Sequence, residues 1–194
     1  MNILTLDQNF LEGLNSFFIG RSDLLDNIFK FLAVYLIYTL PAILVLMWFL
    51  DTAKEKRVAL MMSMVSVAVS VFGINKLISQ LWFRPRPDLS AIGLKEVFFH
   101  RPDFSFPSDH ASALFALTFA LYLFGYKKAA NWFLLYSIVI TFSRVVIGVH
   151  YPLDIVGGAA VALVGSLIIY WLRKPLEKYV YDPLVSILKK IRLA

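Results

Sequence analysis

Residues 130–172 read ANWFLLYSIVITFSRVVIGVHYPLDIVGGAAVALVGSLIIYWL. Two apolar runs, 130–149 and 153–172, are separated by a short connection, 150–152. His150 lies in this connection, and Asp154 is the second residue of the following run. A helix crosses a bilayer with about 20 mostly apolar residues, and each run reaches that length. Neither run alternates polar and apolar residues as the strands of a membrane barrel do. This stretch therefore predicts two membrane-crossing helices joined by a short connection.

Three more apolar runs precede this pair, at 28–50, 58–83 and 107–126. Pro41 lies inside the first run and is expected to kink it, which a membrane helix tolerates. The chain, 1–194, is therefore predicted to be a single all-α domain, a polytopic membrane helix bundle with about five transmembrane helices.

The composition supports a membrane protein and excludes other classes. Hydrophobic residues make up 59% of the chain and charged residues 16%, whereas soluble domains have roughly 45–50% and about 25%. Disordered, collagen-like and coiled-coil chains are excluded on the same grounds. The chain has no Cys and three His, so disulfides and thiolate metal sites are impossible, and we expect no metal and no cofactor.

The net charge of +6 does not indicate a nucleic-acid partner, because the basic residues stand in short clusters between apolar runs. Eleven of the nineteen Lys and Arg residues lie in the clusters 54–57, 127–128 and 173–192. The positive-inside rule places these clusters in the cytoplasm and makes 173–194 a basic cytoplasmic tail. The remaining connections are then expected on the extracytoplasmic face: 1–27, 84–106 and 148–152.

The N-terminal segment, 1–27, lacks the basic start of a signal peptide. Phe10, Leu11, Leu14 and Phe17 recur there at helical spacing, so they form one apolar face. We expect either an interfacial helix that lies along the membrane or a short helix packed against the bundle.

Polar residues gather where the apolar runs meet the predicted outer face. Each of three segments on this side carries a polar cluster next to a predicted span. One cluster could arise by chance, but three clusters on one side predict a functional site. The candidate residues are Arg84, Arg86, Ser108, Asp109, His110, Arg144, His150 and Asp154.

These residue types suit the binding and transfer of a phosphoryl group. Arg86 and Arg144 present planar forks that match phosphate oxygens. Ser108 can cap the following helix or donate to an oxyanion, and helix N-termini favour anions. Asp154, four residues after His150, can fix the tautomer of the imidazole and make its other nitrogen a better nucleophile or base.

Each residue also has a plainer explanation. Arg144 could snorkel to lipid headgroups, and Arg84 and Arg86 could belong to a solvated Pro-rich turn. The 84–106 connection could supply contacts to a second phosphate, or its polar residues could simply be solvated. The residues concerned are Arg84, Lys95, His100 and Arg101.

Three motifs occur in order: Arg86-Pro87, then Pro107-Ser108-Asp109-His110, then Ser143-Arg144 with His150 and Asp154 spaced after it. In this order they resemble the three signatures of the type 2 phosphatidic acid phosphatase superfamily, and they extend from the second predicted span to the fifth. Asp109 replaces the usual Gly of the second signature, a version similar to the bacitracin-resistance type of undecaprenyl-pyrophosphate phosphatase. Ser79 stands where the first signature has Lys, and Lys76 lies one helical turn deeper, from where its stem could snorkel outward.

The resemblance implies a metal-free phosphatase that works through a phosphohistidine. On this basis His150 is expected to attack phosphorus, Asp154 to orient it, and His110 to act as general acid and then base. The residues expected to bind the substrate are Arg86, Arg144, Ser108, Lys76, Asp109 and Arg84.

A site at the membrane surface suits a phosphate or diphosphate on a lipid. The resemblance implies hydrolysis of undecaprenyl pyrophosphate to undecaprenyl phosphate on the extracytoplasmic face of a bacterial cell membrane. Alternatives are phosphatidylglycerophosphate, phosphatidic acid or a lipid A phosphate as substrate. A different class, a non-enzymatic transporter or flippase component, is also open.

Overall fold

A computed structural model describes residues 2–98 and 103–190, and in these ranges the chain folds mostly into helices. The connection after residue 81 adds one 3₁₀ turn, Ser90–Ile92. The helices are α1 (Ile3–Phe18), α2 (Asp23–Leu50), α3 (Lys54–Leu81), α4 (Asp109–Leu123), α5 (Lys127–Val146), α6 (Pro152–Trp171) and α7 (173–190). The prediction of an all-α helix bundle is confirmed.

Within the described residues, four helices, α2, α3, α5 and α6, are long and apolar enough to cross a membrane. The predicted span 107–126 is shorter, because α4 has 15 residues. At 1.5 Å per residue it is about 22 Å long, whereas the hydrocarbon core of a bilayer is about 30 Å thick. The helix begins after Ser108 caps it, and Gly125, with φ of 82°, follows its end. Four of the five predicted spans therefore correspond to long helices, and the span predicted at 107–126 corresponds to the shorter α4.

The short helix α4 lies at the centre of the bundle and packs against α3, α5 and α6. Its residues Ala111, Leu117 and Leu121 are fully buried. At Gly158 of α6, an added Cβ would lie 2.7 Å from the Cβ of Ala111 and 2.8 Å from the carbonyl oxygen of Ser108. Small residues at such crossings allow close approach of membrane helices, which favours their packing. This contact holds the first turn of α4 against α6.

The helix α2 lies at the edge of the bundle, and its regular geometry is lost before Pro41. A π-helical stretch, Phe31–Tyr35, is followed by a 3₁₀ turn, Leu36–Thr39. Proline lacks the N–H group and its ring clashes with the carbonyl one turn earlier. The hydroxyl of Tyr136 on α5 donates to the carbonyl oxygen of Leu36 over 2.6 Å, which satisfies an acceptor in the irregular turn.

The N-terminal helix α1 has apolar residues on two sides. Leu11 and Leu14 pack against α5 and α6, as expected for a short helix that is packed against the bundle. Phe10 and Phe17 are 61% and 58% exposed and extend the apolar outer surface. An interfacial position of this outer side stays a prediction.

The basic clusters meet at one end of the bundle. Lys54, at the start of α3, lies 2.9 Å from Glu177 and 3.5 Å from Asp182 in α7. Lys56 lies 2.8 Å from Asp51, which follows α2. Because α3 runs the length of the bundle, the polar residues that follow its last turn lie at the opposite end. The charge distribution therefore separates a basic end from the end that carries the candidate site.

We predict that Gly158→Ala lowers the free energy of unfolding by about 1–3 kcal/mol, because an added methyl meets a backbone carbonyl that no rotamer change can move. Thermal unfolding of the purified protein in one detergent measures this. The matched control is Gly13→Ala in α1, where nothing lies within 4 Å of the added Cβ. Alanine is the better helix former, so the control variant is expected to be neutral or slightly stabilised. Equal unfolding temperatures for the two variants would contradict the tight contact at Gly158.

Candidate active site

The segment that carries Arg84 and Arg86 pairs with the segment that precedes α4. The amide of Ser105 donates to the carbonyl oxygen of Arg84 over 2.8 Å, and Pro85 forms a bridge with Phe104. The residues 84–86 therefore lie beside 103–105, and Arg84 reaches Asp154 at the start of α6.

Asp154, at the start of α6, is the polar centre of the site and is fully buried. Its Oδ1 accepts from Nη1 of Arg84 over 2.7 Å. Its Oδ2 accepts from the hydroxyl of Ser105 and, over 2.8 Å, from the amide of Tyr151. A buried carboxylate needs such partners, since burial of an unpaired charge is costly. Asp154 thus joins three separate segments of the chain.

His150 lies in the connection between α5 and α6 and is 2% exposed. Its Nδ1 is 3.5 Å from Oδ2 of Asp154. The helix begins only at Pro152, so His150 precedes it and the two residues do not share a helix face. They meet because the Asp154 side chain folds back over the first turn. Gly148, with φ of 75°, gives the chain the reversal that brings His150 to this place.

Arg86 lies against the other side of the imidazole. Its Nη1 is 3.0 Å from Nε2 of His150 and donates to the carbonyl oxygen of Val149 over 3.0 Å. Its Nε donates to Asp103. The same Nη1 is 3.4 Å from Nδ1, so the guanidinium lies beside both ring nitrogens. A neutral ring that carries its proton on Nδ1 has the carboxylate of Asp154 as the neighbouring acceptor. This is the tautomer that leaves Nε2 with a lone pair for chemistry.

Arg144, in the last turn of α5, is 3% exposed and does not reach outward as a snorkelling residue does. Its Nη1 donates to the carbonyl oxygen of Ala33 on α2 over 3.0 Å. Its Nε is buried and has no hydrogen-bond partner among the described residues. The guanidinium is close enough to interact electrostatically with Arg86 and Asp109. Two like charges near each other in a buried place indicate a site for an anion.

The second motif opens α4. Ser108 is the N-cap, its hydroxyl accepts from the amide of Ala111 over 3.4 Å, and its own amide donates to the carbonyl oxygen of Asp154 over 3.1 Å. His110, in the first turn, is half-buried. Oδ1 of Asp109 accepts from Nδ2 of Asn75 over 2.9 Å. The N-terminal end of α4 is therefore fixed directly against that of α6.

A cavity of about 410 Å³ opens beside these residues. Lys76, Ser79, Arg86 and Asp109 supply polar side chains to it, and Phe72, which is 78% exposed on the outside of α3, supplies apolar surface. Lys76 and Ser79 thus face the same space, although only Ser79 has the position that the family Lys usually has. Arg86 lines the cavity and also touches His150, so it connects the two.

Arg84 is not among the residues that line this cavity. Both of its terminal nitrogens bind carboxylates: Nη1 that of Asp154, and Nη2 that of Asp7 over 2.6 Å. Its guanidinium carbon is 4.1 Å from the ring centroid of Tyr151. Burial raises the pKa of the Tyr151 phenol, and Arg84 opposes this rise. Lys95 lies 2.6 Å from Asp26 at the start of α2, whereas His100 and Arg101 lie outside the described residues.

Three residues of the site lie outside the motifs, and the sequence gives little indication of their role. Asp7 and Ser105 bind members of the Asp154 cluster, and Asn75 binds Asp109. Asp7 is far away in sequence, and Ser105 stands just outside the second motif. For Asn75, a buried amide within an apolar run next to Lys76 was the only available hint.

Known proteins resemble this chain in sequence and fold. A family model described as the PAP2 superfamily matches residues 58–178. Undecaprenyl-diphosphatase BcrC of Bacillus subtilis (strain 168) is 30% identical over 171 residues, 88% of this chain and 86% of that protein. The bacitracin transport permease protein BcrC of Bacillus licheniformis is 30% identical over 148 residues, 76% of this chain and 71% of that protein. The putative undecaprenyl-diphosphatase YbjG of Escherichia coli (strain K12) is 30% identical over 137 residues, 71% and 68% of the two chains.

A similar solved structure is that of Aquifex aeolicus LpxE, with a TM-score of 0.62 and 22% identity over 84% of this chain and 94% of that one. This likeness supports the arrangement of the helices and nothing finer. The family match spans the region from α3 to α7 and includes all three motifs. On sequence, fold and the grouping of the motif residues at one end of the bundle, the chain belongs to the PAP2 superfamily and is a phosphatase.

Proposed function

We propose that this protein removes the terminal phosphate of undecaprenyl pyrophosphate at the extracytoplasmic face of a bacterial membrane, through a phosphohistidine on His150. The observation that carries the proposal is the cavity that joins Arg86 and Lys76 to the outer apolar surface at Phe72. A phosphate there can contact the cations while its isoprenoid chain stays in the membrane. The resemblance to relatives named as undecaprenyl-diphosphatases favours this lipid.

The first chemical step is attack of Nε2 of His150 on the terminal phosphorus. The P–N bond forms as the bond to the bridging oxygen breaks, and His110 gives a proton to the departing lipid monophosphate. The imidazole gains positive charge in this step, and Asp154, beside Nδ1, stabilises it. In the second step His110 takes a proton from water, which attacks phosphorus and releases phosphate and free His150.

The cations around the cavity balance the charge of the phosphoryl group. Phosphoryl transfer needs mainly positioning and charge stabilisation. Arg86 exchanges its contact with Nε2 for phosphoryl oxygens when the substrate arrives, which also exposes the nucleophile. The buried Nε of Arg144 is a donor without a partner in the described chain, and a phosphoryl oxygen would supply the acceptor.

The extracytoplasmic orientation rests on the distribution of charge. The clusters at Lys54 and Lys56 lie at the end of the bundle that is opposite to the site. The positive-inside rule assigns that basic end to the cytoplasm. The site then faces the outer leaflet.

We expect purified protein in detergent with EDTA to release phosphate from undecaprenyl pyrophosphate faster than from phosphatidylglycerophosphate, phosphatidic acid or a lipid A phosphate. The comparison measures kcat/KM for each lipid at matched detergent concentration. A preference for one of the other lipids would overturn the substrate assignment, and a strict need for added metal would overturn the histidine route.

His150→Gln is expected to lower kcat by about 10³-fold or more, because the amide keeps part of the size of the ring and its polarity but is no nucleophile. The wild-type protein, quenched during turnover, should carry acid-labile, alkali-stable phosphate, and the variant should carry none. Unchanged turnover in a folded variant would show that another group attacks phosphorus.

Lys76→Ala is expected to raise KM about three- to tenfold with a smaller change in kcat, since a flexible Lys binds phosphate as a point charge. The matched control is Lys30→Ala, at the end of the first part of α2 and not among the residues lining the cavity. Equal kinetics for the two variants would mean that Lys76 does not serve in place of the missing family Lys.

A further inference from the structure

The N-terminal helix α1 binds both ends of the connection that carries His150. On one side, Nδ2 of Asn15 donates to the carbonyl oxygen of Val146, the last residue of α5, over 2.9 Å. On the other side, Oδ1 of Asp7 accepts from the amide of Leu153 in the first turn of α6 over 2.8 Å. A carboxylate at this place also suits the positive end of the helix dipole. The helix therefore reaches the site although it lies outside the residues 58–178 that the family model matches.

Asp7 is a buried charge whose ionic partner among residues 2–98 and 103–190 is Arg84. Its side chain is 1% exposed, and that of Arg84 is 11% exposed. Oδ2 of Asp7 accepts from Nη2 of Arg84 over 2.6 Å, while Nη1 of the same guanidinium binds Asp154 over 2.7 Å. The three groups form a row, Asp7–Arg84–Asp154, that ends at Nδ1 of His150. At such burial, charges are screened far less than at a surface.

We propose that Asp7 is a positioning residue for catalysis, which neutralises Arg84 so that the negative charge of Asp154 is available to His150. Two carboxylates and one guanidinium give the row a net charge of −1. Without Asp7, Arg84 and Asp154 would cancel each other, and the imidazole would face a neutral pair. This inference rests on the proposed role of His150 as nucleophile.

The other charged groups near His150 belong to different segments. Arg86 touches Nε2 and is itself bound to Asp103. Arg144 and Asp109 lie beyond Arg86, and the phenol of Tyr151 stacks on Arg84. Of these groups, Tyr151 interacts electrostatically with Asp7, and Asp7 also binds the amide of Leu153. The charge of Asp7 acts on the imidazole through Arg84 and Asp154, and a test must therefore keep the contact with Leu153.

The central test is Asp7→Asn, which keeps the size of the side chain and an acceptor for the amide of Leu153. It removes the charge and the oxygen that accepts from Nη2 of Arg84. Loss of the negative charge disfavours the protonated imidazole, so the acid limb of the kcat/KM profile moves to lower pH, by about half a unit or more. The imidazole also gains positive charge during attack, so kcat falls roughly tenfold while KM stays within about twofold.

Two further variants separate charge from simple docking of the helix. Asp7→Glu keeps the charge, so its acid limb is expected to stay at the wild-type pH even where the longer side chain lowers stability. The double variant Asp7→Asn with Arg84→Gln restores a net charge of −1 on the row, so its acid limb is expected to return towards the wild-type pH. Asp23→Asn, at a side chain that is 97% exposed at the start of α2, is the matched control and should leave the profile unchanged.

Rates are measured with the lipid phosphate that the wild-type protein hydrolyses fastest. An error in the proposed lipid then appears in the wild-type protein alone and leaves the comparison of variants intact. An acid limb that stays in place in Asp7→Asn, with activity lost only in proportion to unfolded protein, would overturn the inference. A double variant whose acid limb lies at the same pH as that of Asp7→Asn would also overturn the inference.

Discussion

The buried carboxylate of Asp154 is the interaction on which the arrangement of the site depends. It accepts hydrogen bonds from Arg84, Ser105 and Tyr151 and lies beside His150. These partners come from the loop after α3, the loop before α4 and the connection after α5. An unpaired carboxylate at such depth would be strongly unfavourable, so each segment is held where it satisfies this one group. The same contacts that lower the cost of the buried charge also aim the imidazole.

The bundle below supplies a rigid base for this cluster. The helices α4 and α6 meet at Gly158, and Ser108 at the start of α4 is bonded to the backbone of Asp154. Their N-terminal ends therefore meet at the same place, where the amides of Ala111 and Leu153 bind the side chains of Ser108 and Asp7. A phosphatase that relies on positioning needs this precision more than it needs many reactive groups. The position of α4 at the centre explains why a helix of only 15 residues serves where the others are longer.

Sequence reasoning was strongest where one local pattern decides the result. Long apolar runs predict helices because few alternatives satisfy the backbone in a membrane, and the runs at α3, α5 and α6 were placed within a few residues of the observed bounds. The sequence also predicts that Arg86, Arg144 and His150 lie together, because successive helices cross the bundle in opposite directions and bring these residues to the same end. The role of Arg84 did not follow, because its partner Asp7 is 77 positions away and no local pattern pairs them. The spacing of His150 and Asp154 does not by itself give their contact, because the helix begins only at Pro152 and the Asp154 side chain turns back towards the connection.

The contact between Arg86 and His150 has a consequence for which molecules can start the reaction. In the structure the guanidinium lies 3.0 Å from Nε2 of His150, the nitrogen proposed to attack phosphorus, and is also held by Asp103 and the Val149 carbonyl. An incoming anion must compete with all three partners before the imidazole is uncovered. A terminal phosphate carries several acceptor oxygens and more than one charge, so it can replace several of these contacts at once. Under the proposed mechanism, Arg86 therefore links the arrival of the phosphate to the exposure of the His150 imidazole.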